Sequence, residues 1–193
     1  MNRRRRSTLV SAQYKLRDIM LRKEKDGVLE ENDVTAASDN LSRHNKRLFH
    51  KLYDDVVATS SRVNIKKISA KNVAVVAKKG IPQGKKLTEL KGQLSIVVPR
   101  HINLGARIEY HSVLATTEQV KGKDGVTYDR EVNRYLIGPL SFVNHSCGVH
   151  CNSKASRWKY VTTIEKSVSN KQVLFPYGND NNLCGKCKKL RTN

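Results

Sequence analysis

The apolar residues near the start of the chain follow the period of an α-helix. Residues 8–26 carry them at intervals of three and four, with Ser7 placed to cap the start and Gly27 placed to end it. The residues of this apolar face are Leu9, Ala12, Leu16, Ile19 and Met20. The pattern therefore predicts a first amphipathic helix over 8–26.

Residues 41–58 repeat the helical pattern, and Asp39 or Asn40 is in place to cap them. The intervening residues 28–40 are polar and acidic with no clear period, which predicts a connector. Because helices this short are marginal in water, we expect the pair to pack on the domain that follows.

After residue 61 the pattern changes to short apolar runs and alternation, which predicts strands. Residues 73–77 are rich in β-branched side chains, residues 108–114 alternate, and residues 121–125 have the composition of a hairpin turn with its glycine at positive φ. Further short strands are predicted around Leu87, Leu90, Leu94, Ile96 and Val98, and over 160–164 and 173–175. The predicted fold class is mainly β with α.

The charge of the chain is strongly positive and unevenly distributed. The chain holds 37 Lys and Arg against 17 Asp and Glu, a net charge of +20. Residues 1–60 hold 13 basic and 9 acidic side chains, or +4, and residues 61–193 hold 24 and 8, or +16. A body this basic predicts a polyanionic partner such as nucleic acid, with solubility alone as the alternative.

Residues 3–6 are four arginines, which indicate either a nuclear import signal or a solvated terminus. No apolar run of a secretory signal follows them, and no segment approaches the ~20 apolar residues of a membrane-spanning helix. We expect a nuclear protein without membrane contact, and we also expect a monomer.

Four cysteines lie late in the chain in two close pairs. They are Cys147 and Cys151, followed by Cys184 and Cys187. Two thiolates separated by two residues can bind zinc on one tight turn, and in an intracellular protein this spacing favours metal over disulfides. The alternative is a set of reduced thiols on a frayed tail.

Three segments occur in an order that resembles a known family. They are residues 77–84, residues 110–113 and residues 135–147, the last of which ends in Asn-His-Ser-Cys. Together with the late cysteine pair, they resemble the SET-domain lysine methyltransferases. The second and third segments are most similar to the Suv4-type branch, which carries a helical N-terminal extension and methylates a lysine in the tail of the fourth core histone.

The resemblance implies a SET-domain β-clip fold of short strands over 61–178, preceded by a basic helical extension over 1–60 and followed by a cysteine-containing tail over 179–193. It implies transfer of a methyl group from S-adenosylmethionine to a lysine of a protein, in particular of a histone tail in chromatin. In the family the tail binds structural zinc together with the cysteine of Asn-His-Ser-Cys. The matching ligands are Cys147, Cys184 and Cys187, with Cys151 or else His150 as the fourth.

The resemblance also implies roles for single residues. Tyr177 matches the catalytic tyrosine, whose hydroxyl faces the target amine in the family; a core tyrosine is the alternative. The residues that match cofactor-binding positions are Val73, Ala74, Val75, Tyr110, Asn144 and His145. Phe142 and Phe175 match the wall of the lysine channel, with a place in the core as the alternative for both.

Several residues depart from the family pattern. Residues 72–74 read Asn-Val-Ala where the family has a glycine-rich cofactor loop, and close backbone approach is harder without glycine. The tail has two cysteines instead of three. The other departures are Ser146, Val149, His150, Gln172 and Pro176. They define a second hypothesis, a SET scaffold with weak or no activity that binds chromatin or nucleic acid, and a third, a basic structural protein with a zinc-bound tail.

Histone tails are basic, and the predicted domain is basic as well. Two hypotheses account for this repulsion. Either the enzyme docks on nucleosomal DNA, which presents the tail locally, or its substrate is another protein with acidic residues around the lysine. The sequence leaves both open.

Overall fold

The computed structural model describes residues 8–59, 62–97, 113–145, 152–155, 162–164 and 171–175. Its helices are α1 (Leu9–Arg22), α2 (Glu31–Ser38) and α3 (Arg43–Asp54), a π-helical turn (Asp55–Thr59) and a 3-10 turn (Pro139–Phe142). Its strands are β1 (Val63–Ser69), β2 (Asn72–Ala77), β3 (Lys86–Leu87), β4 (Gln93–Val97), β5 (Val113–Lys121), β6 (Thr127–Ile137), β7 (Asn144–His145), β8 (Ser153–Ala155), β9 (Thr162–Ile164) and β10 (Leu174–Phe175). The fold is a mixture of helices and small, mostly antiparallel sheets.

The N-terminal region contains three α-helices in its described part, so the predicted pair was wrong in number. The predicted connector 28–40 contains α2, whose start is held by Asp33, because its carboxylate accepts a hydrogen bond from the backbone N–H of Glu30 at 2.8 Å. Lys23 forms a salt bridge with the same carboxylate at 2.9 Å. A helix of eight residues is too short for the helical spacing of its apolar residues to be recognised in the sequence.

The caps and ends of the other two helices also differ from the prediction. Thr8 caps α1, and Ser42 caps α3 by accepting a hydrogen bond from the backbone N–H of Asn45. Helix α1 ends at Arg22, four residues before the predicted end. The predicted second helix corresponds to α3 and the π-helical turn after it.

The strands form four small sheets in the described part of the chain. Their orders are β1-β2, β3-β9-β8, β4-β6-β5 and β7-β10, and the last pair is parallel. Residue 125 is the glycine of the predicted hairpin turn, and its φ of +81° confirms that prediction. Leu90 was predicted in a strand but lies in a buried turn, where its N–H donates to the carbonyl of Leu87.

The helices pack on the β body through one core, as the sequence predicted. Its large buried side chains include Leu16, Met20, Phe49, Tyr53, Ile65, Leu136, Ile137, Leu140 and Phe142, which come from both halves of the chain. Helix α1 contacts β1, β2 and β6. Among the described helices, none is long and apolar enough to cross a membrane.

Candidate functional site

The segment that leads to Asn144 begins with a glycine that its backbone requires. Gly138 has a φ of +104°, and a Cβ atom there would lie 2.9 Å from the carbonyl oxygen of Lys91. The 3-10 turn follows directly, with Leu140 donating its N–H to the same carbonyl at 3.0 Å. Residues 138–143 are all buried, and Asn144 follows them directly in the chain.

A glutamine of α1 binds this segment from the helical side. Gln13 donates from Nε2 to Oγ of Ser141 at 2.9 Å. Its Oε1 accepts hydrogen bonds from the hydroxyl of Tyr53 at 2.5 Å and from the backbone N–H of Gly138 at 3.0 Å. Burial raises the pKa of the Tyr53 hydroxyl, which is therefore a neutral donor. We call these four residues the Gln13 cluster.

Phe142 lies in the core beneath the helices and is 1% exposed. Its ring centroid is 6.5 Å from that of Tyr53, and the guanidinium of Arg17 lies 5.8 Å from it in a cation–π contact. This is the core position that the sequence left open as the alternative for Phe142. The lysine-channel role stays an untested prediction.

Asn144 is half-buried and lies in β7, which pairs in parallel with β10. Its Nδ2 donates a hydrogen bond to Oε1 of Gln172 at 2.9 Å, across 28 positions of sequence. The backbone register places Leu174 beside Asn144 and Phe175 beside His145. The Asn-His pair and the strand before Tyr177 are therefore neighbours.

Sequence reasoning missed Asn152, which attaches β10 to the body. Its Oδ1 accepts from the backbone N–H of Leu174 and its Nδ2 donates to the carbonyl of Gln172, both at 2.8 Å. The neighbouring Ser153, which is fully buried, donates from Oγ to the carbonyl of Leu174 at 2.8 Å. We call Asn144, Asn152, Ser153 and Gln172 the Asn144 cluster.

Neither cluster could be read from a local motif. Asn152 lies 20 residues from Gln172, and Gln13 lies 125 residues from Gly138. The signal for Gln13 was a polar side chain beside the apolar face of a helix, and many surface glutamines produce the same signal.

Val73, Ala74 and Val75 lie in β2, and the side chains of all three are fully buried. The strand pairs with β1 on one side, and on the other the carbonyl of Val75 accepts from the backbone N–H of Val173 at 2.9 Å. The predicted cofactor contact was a backbone contact, which this burial does not test, so it stays a prediction.

The other predicted site residues lie outside the described part or are described by their backbone alone. Tyr110, Tyr177, Cys147, Cys151, Cys184 and Cys187 lie outside it. His145 and Phe175 are placed by strand pairing only. Within the described residues, no group of three or more His, Cys, Asp or Glu side chains could hold a metal ion. The zinc prediction is therefore untested.

A shallow cleft lies between α1 and β6, above the Gln13 cluster. It is lined by Val10, Gln13, Tyr14, Arg17, Tyr135, Leu136, Ile137 and Ser141. Burial first, and the neighbouring Tyr135 second, raise the pKa of the Tyr14 hydroxyl, so that it is neutral at physiological pH. The rings of the two tyrosines meet edge to face at 6.0 Å. The neutral hydroxyl of Tyr14 and the guanidinium of Arg17 thus line the cleft.

The sequence matches no protein-family profile and no curated protein. The fold is similar to that of the methyltransferase domain of human PR domain-containing protein 2, with 15% identity and a TM-score of 0.39 over 65% of this chain and 83% of that one. This neighbour gives no support to the Suv4-type branch.

Proposed function

We propose that the protein is an S-adenosylmethionine-dependent protein-lysine N-methyltransferase with a SET-domain β-clip fold. The observation that carries this proposal is the parallel pairing of β7 with β10, closed by the hydrogen bond between Asn144 and Gln172. It brings the Asn-His pair next to the strand that precedes Tyr177. Tyr177 follows two positions after Phe175, and that length of chain spans at most ~7 Å.

Asn144 is suited to hold the cofactor. Its Nδ2 is engaged by Gln172, and within the described residues its Oδ1 accepts no hydrogen bond. A half-buried carbonyl oxygen of this kind favours a ligand donor such as an amine. The hydrogen bond to Gln172 also orients the carboxamide, so Gln172 can substitute for the glutamate of the family pattern as an acceptor.

When bound, S-adenosylmethionine supplies the methyl group. The chain must keep the lysine amine of the substrate neutral and hold it in line with that group. A free lysine has a pKa near ~10.4, and an apolar channel lowers it by disfavouring the ammonium form. In the proposed site Tyr177 brings a polar hydroxyl into such a channel and orients the amine, because a rigid ring with a polar tip suits an apolar wall.

The remaining elements of the proposal concern zinc, substrate and location. Cys147, Cys184 and Cys187, with Cys151 as the fourth ligand, would hold a structural zinc ion, and thiolate sites of this kind contribute directly to folding. We propose a nuclear enzyme that acts on histone tails, with the Suv4-type branch as the finer assignment. The net charge of +20 supports a contact with nucleosomal DNA.

Replacement of the proposed catalytic hydroxyl tests the function. Tyr177→Phe should lower the transfer of tritiated methyl groups at least about a hundredfold while affinity for S-adenosylmethionine stays within about threefold. Nucleosomes, free histones and an acidic protein mixture are assayed side by side. The matched control is Tyr128→Phe, since Tyr128 is 51% exposed at the hairpin tip. Equal activity of Tyr177→Phe and wild type would refute the role of Tyr177.

A second candidate function is a SET scaffold without catalysis that binds chromatin. The placement of residues 73–75 favours it, because their side chains are fully buried and the strand pairs with β1 along one edge and, from Val75 onward, with residues 171–173 along the other. A glycine-free strand that is hydrogen-bonded on both edges at Val75 leaves a ligand little room to approach the backbone there. This candidate predicts a folded protein that does not bind S-adenosylmethionine.

A further inference from the structure

Helix α3 carries a row of basic side chains on its solvent-facing side. Arg43, Arg47 and Lys51 are spaced four residues apart, and all three are exposed. Four residues advance little more than one helical turn, so the three cations form a line of about 12 Å along the helix. We call this row the α3 basic stripe. The opposite side of α3 is buried through Phe49 and Tyr53.

The stripe is not explained by the stability of the helix that carries it. A helix N-terminus favours carboxylates and disfavours cations, and like charges four residues apart repel each other. Helix α2 follows this rule with Glu31 and Asp33 in its first turn. Helix α3 begins with Arg43 and His44 and has no acidic residue in its first turn.

The stripe also lacks a salt-bridge partner among the residues that the structure describes. Of the basic residues of α3, Lys46 lies 3.8 Å from the carboxylate of Asp39. Within the part of the chain that the structure describes, the stripe residues form no salt bridge. The acidic residue nearest in the helix is Asp54, which lies at its C-terminal end and lines a groove with His44, Arg47, Leu48, His50 and Lys51.

We propose that the α3 basic stripe binds the phosphate backbone of duplex DNA. A line of evenly spaced cations fits a line of phosphates better than it fits the compact acidic patch of a protein. The proposed contact is with phosphates, so it is independent of base sequence. The proposal locates the suggested contact with nucleosomal DNA on helix α3, and it does not depend on methyl transfer.

The test compares two triple variants that remove the same charge. One is Arg43→Gln, Arg47→Gln and Lys51→Gln. The other is the control, Lys25→Gln, Lys71→Gln and Lys123→Gln, whose three lysines are exposed in turns elsewhere in the fold. Binding to a labelled duplex of about 24 base pairs is measured by fluorescence anisotropy between about 50 and 200 mM salt, without methyl donor.

The stripe variant should bind more weakly than wild type. Its slope of log K against log salt should be shallower by about 2.7, which is about 0.9 for each phosphate that the variant no longer neutralises. The control should change the slope by less than about 1. Because the stripe does not stabilise α3, the stripe variant should unfold at the same or a higher temperature than wild type.

Equal weakening of DNA binding in the two triple variants would overturn the proposal, since it would show that net charge alone governs binding. Binding of polyglutamate as tight as that of DNA would overturn the assignment to nucleic acid. Methyl-transfer activity does not enter this assay, so failure of the stripe and failure of the proposed catalysis are distinguishable.

Discussion

The Gln13 cluster and the Asn144 cluster are both built around a side-chain carboxamide, and they differ in how completely that carboxamide is bonded. Gln13 uses its amide nitrogen once and its oxygen twice, toward Ser141, Tyr53 and Gly138. Asn144 uses its nitrogen toward Gln172, and its oxygen accepts no hydrogen bond from the described residues. Both residues are half-buried; the first joins α1 to the core, and the second lies beside two short strands.

This difference separates a structural role from a binding role. A carboxamide oxygen that already accepts two hydrogen bonds has little capacity left for a ligand, and its removal takes that acceptor from Tyr53 and Gly138. An oriented carboxamide with an open acceptor can bind a ligand at little cost to the fold. The two clusters should therefore respond to mutation in opposite ways.

Gln13→Leu should have the largest effect on stability. It leaves the hydroxyl of buried Tyr53 and the N–H of Gly138 without their acceptor, which should lower the free energy of unfolding by about 2–4 kcal/mol. Guanidinium denaturation followed by circular dichroism measures the change. The folded fraction should retain its affinity for S-adenosylmethionine.

The control for that change is Gln83→Leu, because Gln83 is exposed in the turn before β3. It should alter stability by less than about 0.5 kcal/mol. A Gln13 variant that is as stable as this control would mean that the cluster is not what holds the helices to the core.

Asn152→Ala should have the next largest effect, because Asn152 makes both an accepting and a donating bond to the backbone at β10. We expect the free energy of unfolding to fall by about 1–3 kcal/mol. Hydrogen exchange should show faster exchange of the Leu174 amide. Asn40→Ala at an exposed position serves as the control, and identical exchange in the two variants would contradict the role of Asn152.

Asn144→Ala should give the reverse of the Gln13 result. Its stability should fall by less than about 1 kcal/mol, while its affinity for S-adenosylmethionine should fall about tenfold, as expected on removal of one buried hydrogen bond to a ligand. Thermal unfolding and a titration on the same preparation measure both quantities. A variant that is destabilised and keeps its affinity would assign Asn144 to the fold instead of the site.

The sequence predicts these regions to different extents for physical reasons. Residues 8–26 and 73–77 are predictable because a period or a β-branched run is a local property. Helix α2 was missed because eight residues are stabilised by capping and by the ion pair with Lys23 more than by a long apolar face. Leu90 was assigned to a strand because it is apolar. An apolar residue indicates burial, and a buried turn needs one as much as a strand does.

In the candidate site, the resemblance draws attention to Asn144 but not to its partner. Gln172 is a departure from the family pattern, and the structure pairs it with Asn144. Asn152 and Gln13 form hydrogen bonds with residues that are distant in the sequence. No pattern in a single sequence predicts which distant residues will be partners. Phe142 shows a different difficulty. An aromatic residue beside a motif gives the same sequence pattern whether it lines a channel or fills the core.

The most direct test of the central claim is the binding of S-adenosylmethionine to the folded, zinc-loaded wild-type protein, measured by isothermal titration calorimetry. The proposed function predicts saturable binding at one site, weakened by Asn144→Ala and unaffected by Gln13→Leu at temperatures where that variant is folded. A folded protein that produces no binding heat at several temperatures, and whose unfolding temperature is unchanged by the cofactor, would contradict the claim and favour the non-catalytic scaffold.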